Sequence, residues 1–199
     1  MRASGIGLRA ATGVRAFVVV MLAGVAAPAA AGPIADQAAE AETLMSAGNA
    51  EEALSLFDKA AGAFWVSSPL QLRKALFADD IAGFGQYTPR ADATFKPGSR
   101  ATVYLEPFGY AFVEDGDMFR IALAADLQIR TPGGLILAKA DDFGGLEWSG
   151  REKSREVHAQ VGVDLPDLKP GSYELVLTLR DKSSPKTTTT TLPFSVAAP

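Results

Sequence analysis

One glycine-rich segment, ADDFGGLEW at residues 140–148, combines carboxylates with aromatic rings. Carboxylate oxygens are the ligands that calcium prefers, and an aromatic ring beside carboxylates suits the face of a sugar. The segment is therefore a candidate loop for binding carbohydrate or calcium. The residues concerned are Asp141, Asp142, Phe143, Glu147 and Trp148. The competing interpretation is an ordinary acidic turn between strands, with the tryptophan at the edge of the core.

Other residues that could do chemistry are isolated along the chain. His158 is the only histidine, and it falls on the outward side of a predicted strand. One imidazole without any cysteine does not build a typical structural zinc site. Motifs for a serine nucleophile, a zinc protease and a phosphate-binding loop are absent. We therefore expect no catalytic residue, no metal and no cofactor.

The N-terminal segment, residues 1–31, predicts a secretory signal peptide. It contains three arginines and no acidic residue, then the apolar run AFVVVMLAGVAA, and it ends in three alanines. This order of basic, apolar and small residues is typical of a cleaved leader. The apolar run reaches only about 18 Å as a helix, which is too short for a bilayer core of about 30 Å. We expect cleavage, no membrane span afterwards, and a periplasmic or secreted location; with no cysteine in the chain, lipidation is not expected.

Net charge narrows the class of partner. The chain has 19 basic and 23 acidic residues, and without the three arginines of the N-terminal segment it keeps 16 against 23, a net charge of −7. No basic stripe exists that would displace counterions from a nucleic acid, so no nucleic-acid partner is expected. Without disulfides, stability must come from apolar burial.

Residues 32–82 are rich in alanine, leucine and glutamate, which predicts a helical module. Gly48 and Asn49 separate two helical patterns and predict a tight turn between them. The following SSPLQLRKALFADDI predicts a short third helix, with Ser68 as its N-cap and a proline in its first turn. Residues 83–92, GFGQYTPRAD, then predict a linker.

The stretch LMSAGNAEEALSLFDKAAGAF resembles one tetratricopeptide repeat. The residues that carry the resemblance are Gly48, Ala53, Ala60 and Phe64, a small residue at the turn and close-packing positions in the second helix. The resemblance implies a helical hairpin. Only one copy is present, whereas a continuous concave surface needs about three.

From residue 93 to residue 199 the chain alternates between apolar and polar residues, with turns of glycine and proline, and this predicts strands. FRIALAADLQIR at residues 119–130 alternates without a break, as a half-buried antiparallel strand requires. About seven such segments without intervening helices predict a β-sandwich. The predicted fold class is therefore α+β, mainly β.

The segment LKPGSYELVLTLR resembles the corner of fibronectin type III and immunoglobulin-like sandwiches through Pro170, Gly171 and Tyr173. In those folds a tyrosine at the start of a late strand bonds to the backbone a few residues upstream. The resemblance implies an immunoglobulin-like sandwich and a structural role for the tyrosine. The whole layout also resembles exported bacterial proteins, which implies a compartment but no activity.

Together these features predict an exported, non-enzymatic binding or accessory module. Its partner would be another protein of the cell envelope, recognised through loops at one end of the sandwich or through the helical hairpin. The alternative from a different class is a carbohydrate- or calcium-binding module that uses the Asp141–Trp148 segment. A hydrolase with surface carboxylates is the least favoured function, because nothing in the sequence assembles an acid, a base and a nucleophile.

Overall fold

The computed structural model describes residues 32–198, and its first two elements form a helical hairpin, as predicted. Helix α1 is Pro33–Ser46 and helix α2 is Ala50–Ser67. Gly48 ends α1 with a φ of +87°, which favours glycine. The N–H groups of Gly48 and Asn49 then donate to the carbonyls of Met45 and Leu44, so the last turn is closed by backbone bonds. The signal peptide predicted for residues 1–31 lies outside the described residues.

The predicted third helix is wrong, because its residues form a strand, β1, at Gln71–Gly83. Ser68 does not begin a helix; its N–H and its hydroxyl both donate to the Phe64 carbonyl and so close the end of α2. Pro69 follows without an N–H to donate. The strand pairs along much of its length with a central neighbour, and this tertiary pairing outweighs the local helical preference.

The segment predicted as a linker is part of a β-hairpin. Strand β2, Gln86–Pro89, folds back antiparallel on β1, with Gly83 opposite Gln86 across the turn. Gly85 in this turn has a φ of +70°. The chain therefore passes from helix to sheet at residues 68–70, earlier than the change in composition indicates.

Eight more strands follow, so the described part of the chain is mainly β, as predicted. Seven of its ten strands have six residues or more, and β2, β3 and β5 are shorter. The remaining bounds are β3 Thr94–Phe95, β4 Arg100–Phe108, β5 Val113–Asp115, β6 Met118–Arg130, β7 Ile136–Gly150, β8 Ala159–Asp164, β9 Gly171–Asp181 and β10 Thr187–Val196.

The strands form two sheets in a sandwich-like arrangement. One sheet has the order β2-β1-β4-β8, and the other has the order β3-β10-β9-β6, with β5 and β7 both paired to β6. Neighbouring strands are antiparallel except for the short pair of β3 and β10. Alternate side chains of the long strands meet between the sheets and are almost fully buried. The largest of them include Val103, Leu105, Ile121, Leu123, Ile129, Val163, Leu175, Leu177 and Leu179.

The hairpin joins the sheets through Trp65, near the C-terminal end of α2. This side chain is 5% exposed and belongs to the same apolar cluster as the sheet residues. Its indole N–H donates to the Tyr110 carbonyl at 2.9 Å, and the two rings meet edge to face at 5.0 Å. Phe108 and Phe112 lie against the indole as well. Described residues from both helices and both sheets thus belong to one compact unit.

A second set of contacts fixes the backbone at the same junction. The Lys186 ammonium donates to the carbonyls of Val66 and Gly109, so one cation satisfies the end of α2 and a loop after β4. Gly109 has a φ of +79°, and a Cβ there would overlap the Pro69 carbonyl. Both the positive φ and the overlap with the Pro69 carbonyl therefore exclude a side chain at Gly109.

The predicted corner residues lie where β9 begins. The Tyr173 hydroxyl donates to the Lys169 carbonyl at 2.7 Å, four residues upstream, and its ring lies 5.6 Å from that of Phe194. Pro170 and Gly171 make the turn that brings the carbonyl and the hydroxyl together. The bond therefore links the approach to β9 with the strand itself.

We expect Trp65→Ala to lower the free energy of unfolding by about 3–5 kcal/mol, because it empties a buried site and removes the bond to Tyr110. Urea denaturation followed by circular dichroism measures the loss. Phe64→Ala is the matched control; its ring is 60% exposed, so a loss below about 1 kcal/mol is expected. Equal losses for the two variants would contradict the anchoring role of Trp65.

We expect Tyr173→Phe to lower the free energy of unfolding by about 1 kcal/mol, because it removes one hydrogen bond and keeps the ring. Tyr87→Phe provides a comparison, since Tyr87 also stacks on another aromatic ring. Thermal and urea unfolding give the two values. A melting midpoint for Tyr173→Phe that equals the wild-type midpoint would show that the corner bond contributes nothing.

Candidate functional site

The outer face of α2 carries a stripe of apolar side chains that the rest of the described chain leaves uncovered. Leu54, Phe57, Ala61 and Phe64 are spaced by three, four and three residues, so they lie along one face of the helix. The leucine and the two phenylalanines are 59%, 55% and 60% exposed. Isolated exposed apolar residues are ordinary, but a continuous row of this kind is typical of a surface that binds another molecule. We call these four residues the apolar stripe.

Leu54 and Phe57, at the N-terminal end of the apolar stripe, line a groove between the two helices. Ala41 of α1 and Ala53 of α2 are buried at its floor, and their small size lets the helices approach closely. Met45 of α1 stands on the other side of the groove from the stripe and is 55% exposed. The groove measures about 480 Å³, and its lining is mostly apolar.

This surface is open because of the way the hairpin is attached. Helix α1 packs on α2 and makes no extensive contact with any strand among the described residues. The bonds between hairpin and sheets come from the second half of α2, at Asp58, Trp65 and Val66. The sequence predicted the hairpin, but it also predicted a third helix after it, and residues 71–83 form a strand instead. The exposure of the stripe was therefore not predicted. The three-four-three spacing was the available signal.

The hairpin is strongly acidic. Residues 33–67 contain six acidic side chains and one lysine, a formal charge of −5. Glu42 lines the groove itself, and Glu51 lies three residues before Leu54 on the same helix. Asp58 lies four residues after Leu54, within 3.9 Å of Arg155. The apolar surface is therefore flanked by carboxylates.

The segment predicted as a ligand-binding loop is not a loop, because Asp141–Trp148 lies within strand β7, paired to β6. The pairing is irregular within this segment, because residues 141–143 of β7 lie opposite the single residue Asp126 of β6. Phe143 remains exposed, whereas Trp148 packs against the core from the side of β7.

The three carboxylates of that segment are held in three separate ion pairs. Asp141 pairs with Lys139 at 3.1 Å, Asp142 with Arg180 at 2.6 Å, and Glu147 with Lys182 at 3.5 Å. Within residues 32–198, no three acidic or histidine side chains gather where they could share a metal ion. The predicted carbohydrate or calcium site thus has its residues on one strand without bringing the carboxylates together.

Asp142 has a structural position of its own, at an irregularity in β7 where its φ is +50°. Its N–H donates to the Asp126 carboxylate, and Arg180 binds that same carboxylate through two nitrogens at 2.8 and 2.9 Å. The hydrogen bonds from the Arg180 guanidinium, and to a smaller extent the one from the Asp142 N–H, lower the pKa of Asp126 to about 2. The ion-pair cluster therefore holds the unusual backbone of β7 against β6 and β9.

His158, the single histidine, lies just before β8 and stacks on the ring of Tyr104 at 5.7 Å. The Tyr104 hydroxyl donates to the buried Glu106 carboxylate at 2.8 Å and accepts the Gly85 N–H at 2.7 Å. Burial raises the pKa of Tyr104 to about 12. The tyrosine is thus held by the β1–β2 turn and by β4, and the imidazole covers its ring.

Neither described helix combines the length and the apolar character needed to cross a bilayer. No protein-family model matches this chain, and neither does any curated protein sequence.

Three solved structures that this chain resembles show weak likenesses. CopC from Methylosinus trichosporium OB3b has a TM-score of 0.30 at 14% identity, over 62% of this chain and 93% of that one. The alkylpurine DNA glycosylase AlkC of Pseudomonas fluorescens has a TM-score of 0.35 at 8% identity, over 81% and 43%. Sporulation control protein Spo0M of Bacillus subtilis has a TM-score of 0.31 at 11% identity, over 66% and 50%. Likenesses at this level assign neither a family nor a function.

We expect Asp126→Asn to lower the free energy of unfolding by about 1 kcal/mol at neutral pH. The loss is this small because the Arg180 side chain is 39% exposed, so that solvent screens its attraction to Asp126. The folded-state pKa of Asp126 is lower than its ordinary value of 3.8, so its contribution is complete above about pH 5. The contribution is lost as the pH falls toward 2. Urea denaturation at pH 7 and near pH 2 should therefore show the wild type and the variant converging.

The matched control for this pH dependence is Asp115→Asn. Asp115 pairs with Arg120 on the surface, where both side chains are mostly exposed, so only a small change in the free energy of unfolding is expected from this substitution. The interpretation of Asp126 is wrong if its variant differs from the wild type by the same amount at both pH values.

Proposed function

We propose that this chain is an exported, non-enzymatic binding module that recognises another protein of the cell envelope through its helical hairpin. The observation that carries the proposal is the apolar stripe on α2, with Leu54, Phe57 and Phe64 each more than half exposed. Burying such side chains in an interface is favourable, at roughly 25 cal/mol per Å² of apolar surface. Apolar surface at the centre of a patch with a polar rim is the usual anatomy of a protein–protein interface.

The division of roles follows from how the hairpin is attached. The sandwich, which we propose to be immunoglobulin-like, acts as a scaffold, and it supports the tetratricopeptide-like hairpin through Trp65. The hairpin supplies the recognition surface, because the apolar stripe of α2 is exposed beside the groove that α1 and α2 form. Recognition through the Asp141–Trp148 segment has less support, since its carboxylates are occupied in ion pairs.

Export is supported by the N-terminal segment, residues 1–31, which joins arginines, an apolar run and a small-residue end. The envelope is therefore the compartment in which we place the partner.

The experiment is quantitative affinity capture from an envelope extract of the source organism, with three immobilised forms of the protein. These are the wild type, the double variant Leu54→Ser with Phe57→Ser, and the control Ile136→Ser, which removes an apolar side chain of similar exposure from β7. All three substituted positions are exposed, so the variants should fold, and circular dichroism checks this.

We expect at least one protein to be retained by the wild type and by Ile136→Ser, and to be lost about tenfold with the double variant, which equals about 1.4 kcal/mol. That protein is then purified, and its dissociation constant is measured with the same three forms. Retention that is insensitive to the hairpin substitutions, or lost equally with Ile136→Ser, would reject the hairpin as the binding element.

A further inference from the structure

We infer that the groove between α1 and α2 accepts an amphipathic helix of the partner, with basic residues beside its apolar face. The inference rests on the proposed function and specifies the chemistry of the bound segment. It is drawn from the length of the apolar stripe, from the backbone of the hairpin and from the charge around the groove.

The dimensions suit a helix of about three turns. Leu54 and Phe64 are ten residues apart, which is about 15 Å along a helix axis. A partner helix needs apolar residues at positions i, i+3 or i+4, i+7 and i+10 or i+11 to present a row of about the same length. Met45, across the groove from the stripe, provides a second wall against which that row packs.

The backbone of the hairpin favours a helix over an extended peptide. Along an α-helix each N–H is bonded to the carbonyl four residues earlier, so Leu54–Phe64 offers side chains and hardly any free backbone group. An extended peptide needs main-chain partners for its own polar groups, which a sheet edge provides and a helix face does not. A helical segment brings its backbone already bonded and requires only side-chain contact.

Charge selects a basic segment. Glu42 lines the groove and Glu51 lies beside the stripe, and within residues 32–198 neither is in an ion pair. Lysine or arginine next to the apolar row of the incoming helix would meet these carboxylates at the rim. A second copy of the hairpin would instead bring two surfaces of formal charge −5 together, which opposes self-association at this face.

The test uses three synthetic peptides of about four helical turns, ~14 residues each. The first has leucines along one face with lysines flanking them. The second has the same leucines with glutamates in place of the lysines. The third has the composition of the first in an order that leaves no apolar face. Binding to the full protein is measured by fluorescence anisotropy of the labelled peptide, and nuclear magnetic resonance shift changes locate the contact.

We expect the basic amphipathic peptide to bind at least about tenfold more tightly than the acidic one, with an affinity that falls as salt is added. Phe57→Ser should abolish its binding. The double variant Glu42→Lys with Glu51→Lys should reverse the preference between the two amphipathic peptides. The control double variant Glu114→Lys with Asp167→Lys changes the net charge equally on exposed positions of β5 and the β8–β9 loop, and it should keep the preference.

Several outcomes would overturn the inference. Equal binding of basic and acidic amphipathic peptides would remove the charge selection, and binding that survives Phe57→Ser would show non-specific attraction to acidic surface. Failure of all three peptides would exclude a helical ligand of this class, and a dimer in sedimentation that Phe57→Ser dissociates would assign the groove to a second copy. The proposed function is judged separately by the capture experiment. There the double variant Leu54→Ser with Phe57→Ser must reduce the retention of an envelope protein, whatever the charge of that protein.

Discussion

The burial of Trp65 is the interaction on which the arrangement of the molecule depends. One side chain from the last turns of α2 enters the aromatic cluster of Phe108, Tyr110 and Phe112, and its indole N–H is bonded to the backbone there. Because it is anchored at this end, the hairpin needs no second layer of strands over α1. The hairpin is therefore held through the second half of α2, while α1 makes no extensive contact with any strand among the described residues.

The sheets could be predicted from the sequence because their signal is local and repeated. The alternation along 119–130 requires one buried face, whichever strands turn out to be its neighbours. The third helix was mispredicted because Ser68 and Pro69 resemble a helix start, although Ser68 in fact closes α2. What decides between helix and strand for Gln71–Gly83 is pairing with β4, which follows only after β2 and β3, and no short-range pattern contains that information.

The candidate site was less accessible to prediction, for a related reason. Apolar residues at helical spacing indicate a face that will be covered, but they do not tell which element covers it. Leu54 and Phe57 have that spacing, and here the chain turns to strand before a further helix can cover them. The carboxylates of Asp141 and Asp142 show the converse, since residues that are close in sequence lie in separate ion pairs once the strand sets their directions.

Attachment at one end also gives the hairpin the geometry of a lever. Asn49, the N-cap of α2, is sixteen residues from Trp65, so the turn between the helices lies about 24 Å from the aromatic cluster. A rotation of about 10° at the junction would move that turn by roughly 4 Å, while Leu54 and Phe57 would move by somewhat less in proportion to their distance. The packing around Trp65 thus determines how precisely the apolar stripe, several helical turns away, is positioned.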